Sequence, residues 1–355
     1  MTRLDSMTRQ LMAKVANATL YYPHYRYRVW GYGEWIALEG LLAAARICED
    51  PRYQGFVEGL IAGWISKRRR LIPADHVAPG VAFVDLFRLT GQEIYLERAL
   101  AVADLLLQSP RSSRGARLLR PDANQDVYVD CMYSDPPLFC RLAKATGETR
   151  WFDEAAAYAL EFWNALVDSQ VPLLYHGFSD ASCAHIGLLW GRGVGWALLG
   201  LVDTLADLPE GTQGRDVLVS NLRNMASELR NLQNESGNWH TVLDHPETYL
   251  ENSIACFVCG AFLKGIRTGL LDPSFEECAR RSWDAFTKAV SADGQMLVSE
   301  ATPEGNLELY QSLSLGVFPW GQGPALRAID EYSRPNPAPP NEPLSSEDSS
   351  LRRNR

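Results

Sequence analysis

The sequence predicts an all-α fold: an (α/α)6 barrel, six helical hairpins closed into a toroid. Three observations carry that expectation. Apolar residues recur every three or four positions along most of the 355-residue chain, as in Ile94–Leu107. Strand-favouring residues are nowhere gathered into alternating blocks of useful length. Helix-breaking clusters recur in one arrangement, each with a very apolar helix before it and an amphipathic one after it.

Taken in order, residues 5–20 read as an amphipathic helix with no partner before it. The first very apolar helix opens near Gly33 and stops at Glu49-Asp50-Pro51, and Pro51-Arg52-Tyr53 starts its amphipathic mate. The second opens near Gly80 and breaks at Thr90-Gly91. The third opens near Cys131 and breaks at Thr146-Gly147. The residues after these two breaks align, Tyr95 with Trp151 and Ala99 with Ala155. The fourth opens near Gly193 and ends at Leu208-Pro209. The fifth opens near Ser253 and ends at Leu271-Asp272-Pro273, where Pro273-Ser274-Phe275 repeats the aromatic start. A sixth, near 323–332, has no mate after it, so it pairs with the N-terminal helix and closes the ring. An open solenoid would leave Leu198–Val202 and Ile254–Phe262 facing solvent, whereas a helix apolar on every face needs burial on every side. Residues 1–332 are therefore expected to be one barrel domain. Residues 333–355, with five prolines and almost nothing to bury, are expected to be a disordered Pro/Ser-rich tail.

Composition bounds the function. A net charge of −9 argues against nucleic-acid binding, which needs clustered Lys and Arg. No apolar run is long enough to span a membrane, and the N-terminus lacks the pattern of a secretory signal. The seven cysteines are an odd, scattered set, which suits a reducing compartment, so a cytoplasmic protein is expected. Cys256-x-x-Cys259 lies inside an apolar helix with no second pair, and Gly191-x-Gly193-x-Gly195 follows no strand. Neither a metal nor a dinucleotide cofactor is expected.

In such a barrel the inner helices run parallel, so their N-termini gather at one mouth with free N–H groups. Three of the six leading loops repeat W-G-x-G: Trp30–Gly33, Trp190–Gly193 and Trp320–Gly323. Glycine permits close backbone approach, and tryptophan offers the flat apolar face on which sugar rings stack. The blander alternative is that these tryptophans merely pack the barrel end. The other loops bring Asp75-His76, Asp126–Asp130, Tyr175-His176 and Glu251, with Trp239-His240 and Asp244-His245 upstream of the fifth helix. A Trp-lined, carboxylate-bearing mouth reads as a carbohydrate-active site. Asp75 and Glu251, taken singly, are most simply helix caps, and His240 and His245 are most simply loop residues. Asp130 differs, because it ends the apolar run Val127–Val129 and faces an aromatic-rich helix. Such surroundings keep a carboxyl protonated, as a general acid requires.

The ordered set Val127–Pro137, Tyr175–Gly177, Leu189–Trp196, Gly237–Asp244, Tyr249–Ser253 and Pro319–Pro324 resembles the unsaturated glucuronyl and rhamnogalacturonyl hydrolases, glycoside hydrolase families 88 and 105, the second more closely. The resemblance spans roughly residues 25–332. It implies hydration of the C4=C5 double bond of a terminal unsaturated uronate on an oligosaccharide, with Asp130 as general acid and base and Asp75 as second carboxylate. It implies substrate contacts from His176, Trp190 and Arg192, to which the reading of the mouth adds Trp30, Tyr32, His76, Tyr133, Trp196 and Trp239 as candidates. The pairing of Arg192 with the uronate carboxylate is an inference from charge. The chain departs from the family at Val194, where Asn is common, and at Ser134-Asp135, where the pair is more apolar. These departures raise the question of selectivity. Two other functions fit the same mouth: an inverting glycosidase using Asp130 with Asp75 or Glu251 about 6.5–9.5 Å away, and a non-catalytic carbohydrate-binding barrel.

Overall fold

The computed structural model describes residues 6–21, 33–67, 70–71, 77–118 and 126–335. The helices are α1 (Ser6–Leu20), α2 (Glu34–Cys48), α3 (Pro51–Lys67), α4 (Gly80–Thr90), α5 (Glu93–Gln108), α6 (Cys131–Thr146), α7 (Arg150–Leu166), α8 (Gly191–Asp207), α9 (Arg215–Asn231), α10 (Asn252–Arg267), α11 (Glu276–Ala289), a short α12 (Leu307–Ser312) and α13 (Pro319–Tyr332). The inner ring runs α2–α4–α6–α8–α10–α13, each helix packed on the next, and α13 closes it against α2. Helix α1 packs on both α13 and α2, so the two chain ends complete the sixth hairpin as the sequence predicts.

Closure explains the apolar inner helices. In α8 every residue from Gly191 to Leu205 is buried, whereas outer α11 buries one stripe, Cys278, Ala279, Ser282 and Phe286. The two Thr-Gly breaks share one geometry. Gly91 and Gly147 adopt φ of 70° and 76°, and their N–H groups return to Phe87 O and Ala143 O. This left-handed cap stops a helix at little cost only with glycine.

Two features depart from the all-helical expectation in detail. Strands β1 (Asp126–Tyr128), β2 (Gly177–Ser179) and β3 (Ala184–Ile186) form an antiparallel sheet with Val127 opposite Phe178 and Phe178 opposite His185. Strands β4 (Leu297–Ser299) and β5 (Leu315–Val317) form a ribbon flanking α12. Each is three residues long, too short to show a period of two. At the C-terminus, Arg334 still pairs with Asp330 at 2.8 Å, so packed chain runs two residues past the boundary expected from composition.

The barrel axis is polar at one level. Arg327 donates to Glu39 (2.5 Å), to the Tyr133 hydroxyl oxygen (3.1 Å) and to Asp203 (2.8 Å), while Lys264 also reaches Asp203 (2.5 Å). Burial raises Glu39 to about 7 against the opposing pull of Arg327. Asp203 is held low by Arg327 and Lys264 in spite of its burial. Each charge has partners, which is the condition for tolerating ions in a core.

Candidate active site

Asp130 occupies the N-cap position of α6, but its side chain makes no capping hydrogen bond. The backbone around it is fixed by Val129 N–H donating to His176 O (3.0 Å) and Tyr133 N–H donating to Asp130 O (3.0 Å). The carboxyl is thus left for the cavity, which it lines with Trp190, Arg192, Trp196, Ala301, Thr302 and Trp320. Burial raises Asp130 from 3.8 to about 6, and Arg192 opposes the rise. A carboxyl that holds its proton into the weakly acidic range suits proton transfer near neutrality.

Arg192 enters from the first turn of α8 and is 2% exposed. Its Nη1 donates to Ser299 O (3.0 Å) and Ser299 Oγ (2.8 Å), and its Nη2 to Glu300 O (2.8 Å) and Thr302 Oγ1 (2.7 Å). The guanidinium also stands 4.7 Å from the centre of the Trp190 ring. The four terminal N–H groups are therefore committed to the last residue of β4 and the segment that follows it. What Arg192 offers the cavity is positive potential, not an open fork.

Ser299 joins three inner helices. Its N–H donates to Glu251 Oε2 (3.0 Å), and its carbonyl accepts from both Arg192 and the Trp320 indole (2.9 Å). Glu251 caps α10, accepts from the Ser253 hydroxyl (2.8 Å) and sits 3.7 Å from Arg192. The capping reading of Glu251 is what the geometry bears.

His176 is buried behind Trp190, with ring centres 4.4 Å apart. Its Nδ1 lies 2.7 Å from the Tyr310 hydroxyl. That hydroxyl accepts the backbone N–H of Leu188 (3.4 Å), which leaves its own proton available to Nδ1. Burial, reinforced by Arg192, lowers His176 to about 3, so the ring is neutral near pH 7.

The structure thus brings Asp130, Trp190, Arg192 and Trp196 to one cavity, with His176 one layer behind. Tyr133 and Trp239 lie elsewhere. The Tyr133 hydroxyl donates to Glu39 in the barrel axis (3.0 Å), and its ring backs Trp196. The fully buried Trp239 donates its indole N–H to Leu229 O (2.7 Å) and ties the loop to α9. Trp30, Tyr32, Asp75 and His76 fall outside the described residues. Val194 is completely buried and does not line the cavity. Asp135 turns to Tyr158 on α7 (2.7 Å) and accepts from Ser134. The departures noted in sequence therefore face packing, not the cavity.

Ala301, Thr302, Ser299 and Tyr310 are the residues that sequence reasoning did not nominate. Trp320 had a signal, the third W-G-x-G, and Gly33 of the first such motif explains its glycine. A Cβ on Gly33, at φ 93°, would stand 2.8 Å from Trp320 Cβ. That glycine serves the seating of a tryptophan, so packing and cavity lining are the same feature. The 299–310 residues carry no motif.

A larger hollow of about 540 Å³ lies between α7 and α9. Its Asp168 is held below the ordinary carboxylate range by accepting the N–H groups of Gln170 (2.7 Å) and Val171 (3.0 Å), which makes it a turn cap, not a proton donor. The carboxyl that holds its proton lies instead in the smaller cavity around Asp130. Among the described residues, no group of His, Cys, Asp and Glu could hold a metal, and no helix is long and apolar enough to cross a membrane.

A six-hairpin barrel whose mouth holds a buried carboxyl between tryptophans defines a carbohydrate-active enzyme. The profile of glycosyl hydrolase family 88 matches residues 4–335. The chain belongs to that family and is a glycoside hydrolase. It is 26% identical over 307 residues to the unsaturated rhamnogalacturonyl hydrolase YesR of Bacillus subtilis, covering 84% of this chain and 88% of that one. It is 28% identical over 210 residues to an unsaturated 3S-rhamnoglycuronyl hydrolase of Formosa agariphila, covering 54% and 55%. In fold it is similar to a possible member of family 105 from Salmonella enterica, with a TM-score of 0.83 at 22% identity over 92% of this chain and 93% of that one.

Proposed function

We propose that this chain releases the terminal 4,5-unsaturated uronate from short oligosaccharides left by polysaccharide lyases. The observation that carries the reading is the Asp130 carboxyl, uncapped at a helix start, 7% exposed and raised to about 6 between Trp190 and Trp320. In this reading Asp130 gives its proton to C4 of the double bond. Positive charge then develops at C5, where the ring oxygen shares it, and water adds there. The Asp130 carboxylate takes the proton that the water gives up. The resulting hemiketal opens, and the glycosidic link collapses without a covalent enzyme intermediate. Trp190 and Trp320 supply stacking faces, and buried Arg192 supplies the field that draws the uronate carboxylate inward. Asp75 serves as second carboxylate, and Trp30, Tyr32 and His76 complete the substrate contacts. His176, Tyr133 and Trp239 act from behind, as supports.

An inverting glycosidase needs a second carboxylate free across the cavity. Glu251 is already committed to Ser253 and Ser299 and lies against Arg192, which disfavours that role. We place catalysis in one unit over residues 1–332 with a Pro/Ser-rich extension after it. The seven free cysteines support a cytoplasmic location. Screening lyase digests of pectic, ulvan and glycosaminoglycan polysaccharides for loss of the C4=C5 absorbance tests the function. No loss on any digest, with turnover of a saturated glycoside instead, refutes it.

A further inference from the structure

The arm from Leu297 to Val317 is more than a connection between α11 and α13. It holds two groups beside Asp130 at once. Ser299, Glu300 and Thr302 take all four terminal N–H groups of Arg192, and Tyr310 takes His176. Tyr128 on β1 donates to Glu304 of the same arm at 3.3 Å, a third anchor across the mouth.

The acceptors on Arg192 are not equivalent. Two are backbone carbonyls, which side-chain substitution leaves in place. Ser299 Oγ belongs to a fully buried residue that also joins Glu251 and Trp320, so it is part of the frame. Thr302 Oγ1 alone is a half-exposed side-chain acceptor that also lines the cavity. Its hydroxyl proton is directed to Glu300 O (3.2 Å), which turns a lone pair toward Arg192 Nη2. With Nη1 held by Ser299 and one Nη2 hydrogen by Glu300 O, the Thr302 bond is the remaining hold on the guanidinium plane, on the side that faces the cavity.

We propose that Thr302 is a positioning residue for the hydration step, fixing through its hydroxyl where the Arg192 charge stands relative to Asp130. The inference rests on the reading of Asp130 as proton donor. The charged or titratable groups around Asp130 among the described residues are Arg192 from α8, His176 from the β1–β2 side, Tyr310 from α12 and, beyond Arg192, Glu251 at the start of α10 and Tyr249 before it, whose phenol burial keeps neutral. His176 is neutral, and Glu251 is screened by Arg192 and Ser299. Arg192 is therefore the cation whose placement sets how readily Asp130 gives up its proton. If the guanidinium turns away, Asp130 holds its proton to higher pH.

Thr302→Val removes the hydroxyl at nearly constant volume, and Thr302→Ser keeps it while removing the methyl. Both variants are compared with wild type in the pH dependence of kcat/KM on a lyase-generated unsaturated uronyl disaccharide, followed by loss of C4=C5 absorbance. In parallel, the Asp130 carboxyl is titrated without substrate by 13C NMR, its signal assigned by its loss in Asp130→Asn. For Thr302→Val, kcat/KM falls about tenfold, mostly in kcat, the size expected for one charge-assisted hydrogen bond. The falling alkaline limb and the NMR midpoint both move to higher pH, and Thr302→Ser matches wild type in both. An unmoved midpoint in Thr302→Val, or a Thr302→Ser that behaves like Thr302→Val, overturns the proposal. A wild-type enzyme inert on every unsaturated disaccharide refutes the function instead, while the NMR midpoints still decide the positioning role.

Discussion

Replacing Asp130 by Asn should abolish turnover and stabilise the protein, and the structure sets the size of the second effect. Burial raises the folded carboxyl from 3.8 to about 6. In the unfolded chain Asp ionises near its ordinary value, so between these two pH values folding takes up a proton. Stability then falls as pH rises from about 4 to about 6 and levels off above. At 1.36 kcal/mol per tenfold change in acidity, the ionised carboxylate costs the folded state roughly 3 kcal/mol at neutral pH. Asparagine is neutral throughout and escapes this cost. Asp130→Asn should therefore melt about 4 °C higher than wild type near pH 8 for a chain of this size. The two proteins should converge below pH 4, where both carry no charge at residue 130. Thermal unfolding across pH 4–8, read by circular dichroism, measures the difference, and absorbance loss measures turnover. A variant less stable than wild type at pH 8, or a difference that does not change with pH, would show that burial does not load Asp130 in this way. Wild-type kcat/KM rising steadily to pH 9 would separately show that the protonated form is not the active one.

Arg327→Met should destabilise by about 3–5 kcal/mol, because Glu39 and Asp203 are left buried without their shared cation; chemical denaturation measures it, and a loss under 1 kcal/mol would deny the axial network its role. Val194→Asn should cost about 1–3 kcal/mol for an amide placed where nothing is exposed, with the ranking of disaccharide substrates unchanged; a changed ranking would return that position to selectivity. Trp239→Phe should lower stability by about 2 kcal/mol through loss of the bond to Leu229 O, with KM unchanged, and a raised KM would make Trp239 a substrate contact.

The barrel was legible in sequence because closure writes itself along the chain. A helix buried on all sides must be apolar on all sides, and each hairpin needs a break, so Leu198–Val202 and the Thr-Gly pairs at 91 and 147 report the architecture directly. Asp130 was legible for a related reason: a carboxylate after an apolar run is anomalous wherever it is not a cap. Tyr133 and Trp239 were expected at the cavity and are placed elsewhere, because motif and placement diverge within one turn. Tyr133 follows Asp130 by three residues, yet points down the barrel axis to Glu39. No residue type marks which side of an inner helix faces the mouth and which faces the axis.

The arm at 297–317 was illegible for a deeper reason. Its hold on Arg192 uses two backbone carbonyls and two small hydroxyls, groups that almost any loop contains. What makes them a site is that Glu251, from a helix cap, fixes the Ser299 N–H, and that Trp320, from the last inner helix, fixes the Ser299 carbonyl. Three distant segments thus converge on one ordinary serine. The consequence reaches the charge question as well. A net charge of −9 repels a uronate at long range, so attraction must be local. In the proposed reading Arg192 supplies it; burial disfavours that charge, and the four bonds of its terminal N–H groups to the arm hold the guanidinium in place. An Arg released from the arm would turn out of place, and its field would no longer reach Asp130 from a fixed direction, which is the perturbation that Thr302→Val makes. By holding the guanidinium in place, the arm lets one cavity keep a fixed cation and a proton-holding carboxyl together, which is what the proposed reaction requires.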